Sequence, residues 1–115
     1  DVPELWHKIA IAVALVVLAP VGEELLFRGI LLRGVVRTMP FSPAAIVSGL
    51  VFGVVHVQYW TVWPLLVGVG LFGVAAGFAY RRFGYPTTVL AHALFNAIAA
   101  VFLFVDVGQT DAPNC

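Results

Sequence analysis

The chain has 115 residues, of which 62% are hydrophobic and 10% charged, where a soluble domain carries roughly a quarter charged. That length leaves room for one domain, and the formal net charge of zero excludes nucleic acid as a partner, because no basic excess exists to neutralise phosphates. The single cysteine, Cys115, excludes an internal disulfide and a cysteine-rich zinc site.

Residues 38–80 and 83–105 contain no Asp, Glu, Lys or Arg. A helix needs about 20 apolar residues to cross a bilayer, so the first run predicts two spans and the second one. Residues 5–36 supply another. The expected fold is all-α, an integral membrane bundle of about four transmembrane helices over residues 1–107, with 108–115 a flexible tail. Glu23, Glu24 and Arg28 follow the apolar stretch 9–19 too closely for a cleaved leader. Opening on Asp1 rather than Met, the chain reads as a piece of a longer protein.

In chain order, the first helix is expected over 3–37, bent near Pro20 and Gly22 because proline removes a helix bond. The second starts with Ser42 as cap and Pro43 at the first helical position, and ends near 57. The third covers 62–82 with Thr61 as cap, and the fourth 86–105. Arg33 and Arg37 fall in the first connection and Arg81 and Arg82 in the third, so all four share one side. Asp1, Glu4, Asp106 and Asp111 fall on the other. Arginine excess marks the cytoplasmic face. Trp6, Tyr59, Trp60 and Trp63 are expected as an aromatic belt at the outer surface, with Tyr80 and Tyr85 at the inner one.

Gly68-Val69-Gly70-Leu71-Phe72-Gly73 matches the dinucleotide-binding pattern letter for letter. That pattern requires a preceding strand and an acidic residue about 20 positions later, and neither is present. Gly73 with Gly77, and Gly49 with Gly53, instead have the small-xxx-small spacing of closely packed membrane helices.

Glu23, Glu24 and Arg28 stand in a helix that is otherwise apolar. A charge at the centre of a span costs about 2.5–3.5 kcal/mol even on a lenient scale. Glu24 and Arg28, one turn apart, can pair. Glu23 points roughly 100° away from Glu24 and is free to face another helix. His56 ends the second helix, and His92 and Asn96 lie one turn apart on one face of the fourth. Counted at about 1.5 Å per residue, Glu23, His56, His92 and Asn96 fall within a slab about 10 Å thick. Side chains from three helices at one depth predict a single buried polar site.

A carboxylate, two imidazoles and an amide suit hydrolysis of an amide bond. Glu23 could take a proton from water while the imidazoles or the amide hold the oxyanion. Glu23, His56 and His92 could equally bind zinc or another divalent metal, with a fourth position open. The residues leave metal-dependent and metal-free mechanisms both open. Neither a His-Glu-x-x-His pair nor an intramembrane aspartate dyad is present. Ser48 lies about two turns from His56, off its face, and reads as a packing residue that back-bonds to its own helix.

Three stretches then resemble a known family: Glu23-Glu24-Leu25-Leu26-Phe27-Arg28 its EExxxR motif, Phe52-Gly53-Val54-Val55-His56 its FxxxH motif, and His92-Ala93-Leu94-Phe95-Asn96 its HxxxN motif. In this order they are similar to the CPBP, or Abi, family, which includes type II CAAX prenyl endopeptidases and bacteriocin-processing or self-immunity proteins. The resemblance spans residues 23–96. It implies intramembrane proteolysis of a membrane-associated protein or lipidated peptide in the lipid bilayer. The expected setting is a prokaryotic cell membrane, and the arginine topology with the depth count opens the site towards the cytoplasm. It implies catalytic roles for Glu23 and His56 in activating water, for Glu24 and Arg28 in supporting them, and for His92 and Asn96 at the oxyanion or a metal. Two rivals remain at this stage: a non-catalytic immunity or adaptor protein of the same fold, and a proton-relay transporter. The transporter lacks a second half repeating the pattern.

Overall fold

The computed structural model describes residues 2–110, with side chains through residue 102. All regular structure among them is helical. Helix α1 runs over Val2–Val35, α2 over Phe41–Val55, α3 over Trp63–Phe83 and α4 over Tyr85–Thr110. A 3₁₀ turn, Val57–Tyr59, follows α2. The all-α membrane bundle is as expected. Three helices, Val2–Val35, Trp63–Phe83 and Tyr85–Phe102, are long and apolar enough to cross a membrane. With 15 residues, α2 is about 22 Å long, short of a hydrocarbon core of about 30 Å.

Helix α1 changes its winding on both sides of Pro20 and Gly22. Its winding widens to π over Ala14–Leu18 and Leu25–Leu32, on either side of an α-helical stretch, Ala19–Glu24. Such widened turns recur at functional sites. Its buried residues are Pro20, Glu24, Phe27, Arg28 and Leu32, spaced to form one face. Nothing in Val2–Val13 is buried.

Neither expected cap is used. Pro40 precedes α2 with extended backbone and no side-chain cap bond, and Ser42 lies inside the first turn. Val62 holds the same place before α3, again without a side-chain bond, so Thr61 does not cap it. Prolines in each first turn, Pro43 and Pro64, remove donors that a cap would otherwise satisfy. Gly84, at φ 89°, joins α3 directly to α4, a backbone conformation that strongly favours glycine. The helix α4 continues to Thr110, so residues 108–110 of the expected tail are helical. Residues 111–115, and Asp1, lie outside the described residues.

Helices α2 and α3 meet along glycines. A Cβ on Gly73 would lie 3.0 Å from the Gly49 backbone and 3.1 Å from Phe52 Cβ. One on Gly53 would lie 3.1 Å from Gly70, and one on Gly77 3.3 Å from Ala45. The packing reading of this stretch holds, except at Gly68, which has nothing within 4 Å. Beside this seam lie two small cores, Phe27–Phe52–Val69 and Leu32–Ala44–Ala45. Leu50, Leu71 and Leu90 are exposed, while Glu24 and Arg28 are fully buried. This polarity, inverted from that of a soluble protein, is what lipid as solvent demands.

Candidate active site

Arg28 and Glu24 form the floor. The Arg28 guanidinium donates to Glu24 Oε1 at 3.0 Å within α1 and to the Gly73 carbonyl of α3 at 2.6 Å. It also lies over the Phe52 ring, 4.7 Å from its centre. The one-turn pairing read from the sequence is therefore present, and it braces α1 against α3. Glu24 Oε1 also faces His92 Nδ1 at 2.8 Å. Glu24 Oε1, which accepts from Arg28, accepts from this nitrogen too when Nδ1 carries the hydrogen, and that tautomer leaves a lone pair on Nε2.

The turn after α2 sets His56 by similar logic. Its Nδ1 is 2.5 Å from the Phe52 carbonyl, which can only accept, so Nε2 again presents a lone pair. Tyr59 stacks parallel to the ring, at 6.3 Å and 2°. Trp60 Nε1 donates to the Val54 carbonyl at 2.8 Å and holds the turn. Tyr59 thus sits over the site and not in the outer belt, whereas Trp6, Trp60 and Trp63 are exposed as a belt requires.

Both Nε2 atoms face one carboxylate oxygen. Glu23 Oε2 lies 3.6 Å from His56 Nε2 and 3.5 Å from His92 Nε2, and it has no hydrogen bond of its own. Three acceptor atoms turned towards one another repel unless a proton donor or a cation lies among them. Among the described residues no group of three or more His, Cys, Asp or Glu side chains is disposed to hold a metal ion. A water molecule or a proton on one imidazole meets the same need. Glu23 is the least buried member, its side chain 32% exposed against 14% for His56 and 4% for His92.

Asn96 lies one turn from His92 and donates from Nδ2 to the Leu15 carbonyl at 2.8 Å. Glu23, His56, His92 and Asn96 all line one cavity of about 600 Å³, with Gln58, Tyr59, Phe72 and apolar residues of α1 and α4. It reaches from Glu23 towards Leu15, Gln58 and Phe102, away from the connections bearing Arg33, Arg37, Arg81 and Arg82.

Sequence reasoning missed several contacts. Phe52 touches Phe27, His56, Phe72 and His92 with its ring. Ser48 does not bond back to its own helix; it donates to the Phe27 carbonyl of α1 at 3.2 Å. Tyr85 donates to the Val21 carbonyl at 2.8 Å, two residues before Glu23. Only Phe52 carried a signal, the aromatic four residues before a histidine.

The fold and site together define a helical integral membrane protein with a glutamate–histidine cluster in a cavity at membrane depth. The chain belongs to the type II CAAX prenyl endopeptidase Rce1-like family, whose sequence model matches residues 5–98. No curated protein and no solved structure matches it. Membership places it among CAAX-type proteases acting on membrane-associated proteins in the bilayer.

Proposed function

We propose that the chain is an intramembrane endopeptidase in which Glu23 activates water against a peptide bond of a membrane-associated, CAAX-type lipidated protein. The observation that supports this most is the approach of Glu23 Oε2 to two imidazole Nε2 atoms at 3.5 and 3.6 Å. A water bound there donates one hydrogen to Glu23 and the other to an imidazole. As its oxygen attacks the carbonyl carbon, Glu23 takes the proton. An N–H of Asn96 or a protonated imidazole stabilises the oxyanion. The C–N bond then breaks, and the proton passes to the leaving amine, releasing a carboxylate and an amine. Arg28 and Glu24 hold His92 in the required tautomer.

The cavity walls favour a lipidated peptide over a soluble one, since most lining residues are apolar and they come from all four helices and the Val57–Tyr59 turn. The enzyme works in a prokaryotic cell membrane and is entered from the side of that turn. The test is a fluorogenic peptide carrying a prenylated cysteine and three further residues, with wild type and Glu23→Gln purified in detergent. Glu23→Gln is expected to fold as wild type does and to lose cleavage by at least about a thousandfold, as expected for loss of the group that activates water. A folded Glu23→Gln that cleaves normally overturns the reading. Cleavage abolished by a chelator and restored by zinc would overturn the metal-free form of the reading.

A further inference from the structure

We propose that Pro20 is a positioning residue: having no N–H, it frees the Leu15 carbonyl to hold Asn96 in the cavity. The inference rests on the protease reading for its catalytic consequence, and on helix chemistry for the rest.

In an α-helix the Leu15 carbonyl accepts from the N–H of residue 19, and in a π-helix from that of residue 20. Here the Ala19 N–H goes to Ala14, because the stretch Ala14–Leu18 is π-wound. The next residue in line is Pro20, which offers no hydrogen. Neither donor of the helix itself is available to Leu15. An unpaired carbonyl inside a membrane protein is costly, and Asn96 Nδ2 supplies the bond at 2.8 Å across 81 residues of sequence. Pro20 is itself buried and lies three residues before Glu23.

The device works in both directions. The carbonyl orients the carboxamide of Asn96, leaving its second N–H and its Oδ1 for the cavity. The amide in turn stabilises the widened winding that sets the rotation of the following turn, and so the direction of Glu23. A proline kept only to break the helix would need no partner on α4.

Pro20→Ala returns the missing N–H. The helix can then close on itself and release Asn96. Expected is a fall in kcat of about 10–100-fold, the cost of misplacing a group by about an ångström, with KM changed less than about threefold and a Tm in detergent equal to or above wild type. The second arm uses stability and is independent of cleavage. Asn96→Ala is expected to lower Tm clearly when residue 20 is proline and by less than half as much when it is alanine. Full kcat in Pro20→Ala, or equal Tm losses in the two backgrounds, overturns the inference. Should Pro20→Ala fail to fold, Pro20→Ser carries the same restored N–H and is read the same way. If no variant or wild type cleaves any reporter while the Tm coupling stands, the protease reading fails and the structural device remains.

Discussion

With Glu24 and Arg28 both fully buried, removing either leaves a charge with its main counter-charge gone. Breaking a buried pair by deleting one partner costs about 3–5 kcal/mol, while replacing both with apolar groups is often close to neutral. Arg28→Leu is therefore expected to lose most of its folded population in detergent, measured by thermal unfolding, and Glu24→Leu with Arg28→Leu to recover much of it. A single variant melting within a degree of wild type would mean that the pair contributes little. Glu23 has no such role, being partly exposed, with an Oε2 that has no hydrogen bond. This division was legible in the sequence, because one-turn spacing on a helix fixes which residues can pair. The roles of Ser48, Tyr59 and Tyr85 were not legible. Each bonds to or stacks on a group set by how neighbouring helices or turns are placed, and residue type alone does not determine that.

At the scale of elements, the α2–α3 seam decides that placement. Gly73→Ala would place its Cβ 3.0 Å from backbone atoms of Gly49 and 3.1 Å from the Cβ of Phe52, contacts that cannot be relieved by turning a flexible side chain. Overpacking of this kind costs about 1–3 kcal/mol. Since Phe52 touches both site histidines, activity is expected to fall further than stability. Gly68→Ala meets nothing within 4 Å and should be neutral or stabilising by up to about 1 kcal/mol, because alanine is the better helix former. Melting curves and initial rates on the two variants check this. Equal effects would show that the seam is looser than its geometry. The charge-free runs made four helices legible, but not the π turns in α1. Carbonyls in those turns accept from other elements, Leu15 from Asn96 and Phe27 from Ser48. Nor were the helix starts legible, since prolines replaced the side-chain caps that sequence rules look for.

For the molecule as a whole, the inverted polarity means that lipid is as much a structural component as any helix. Of the four helices among the described residues, three are long and apolar enough to cross a membrane and one is not: α2 stops after 15 residues, about 8 Å short of a typical hydrocarbon thickness. Hydrophobic mismatch of this size is relieved by local thinning of the bilayer around the short helix, at fractions of a kcal/mol per ångström. With His56 at the C-terminal end of α2, thinning at that end would bring interfacial water closer to the site. Reconstituted into phosphatidylcholines of rising acyl length, the protein is expected to cleave fastest in thin bilayers and to slow severalfold in thick ones, with circular dichroism unchanged. A rate independent of chain length would mean that the protein, not the lipid, hydrates its own chemistry. Membrane thickness would then be a selector of where this protease works, acting through the one helix that never reaches the far side.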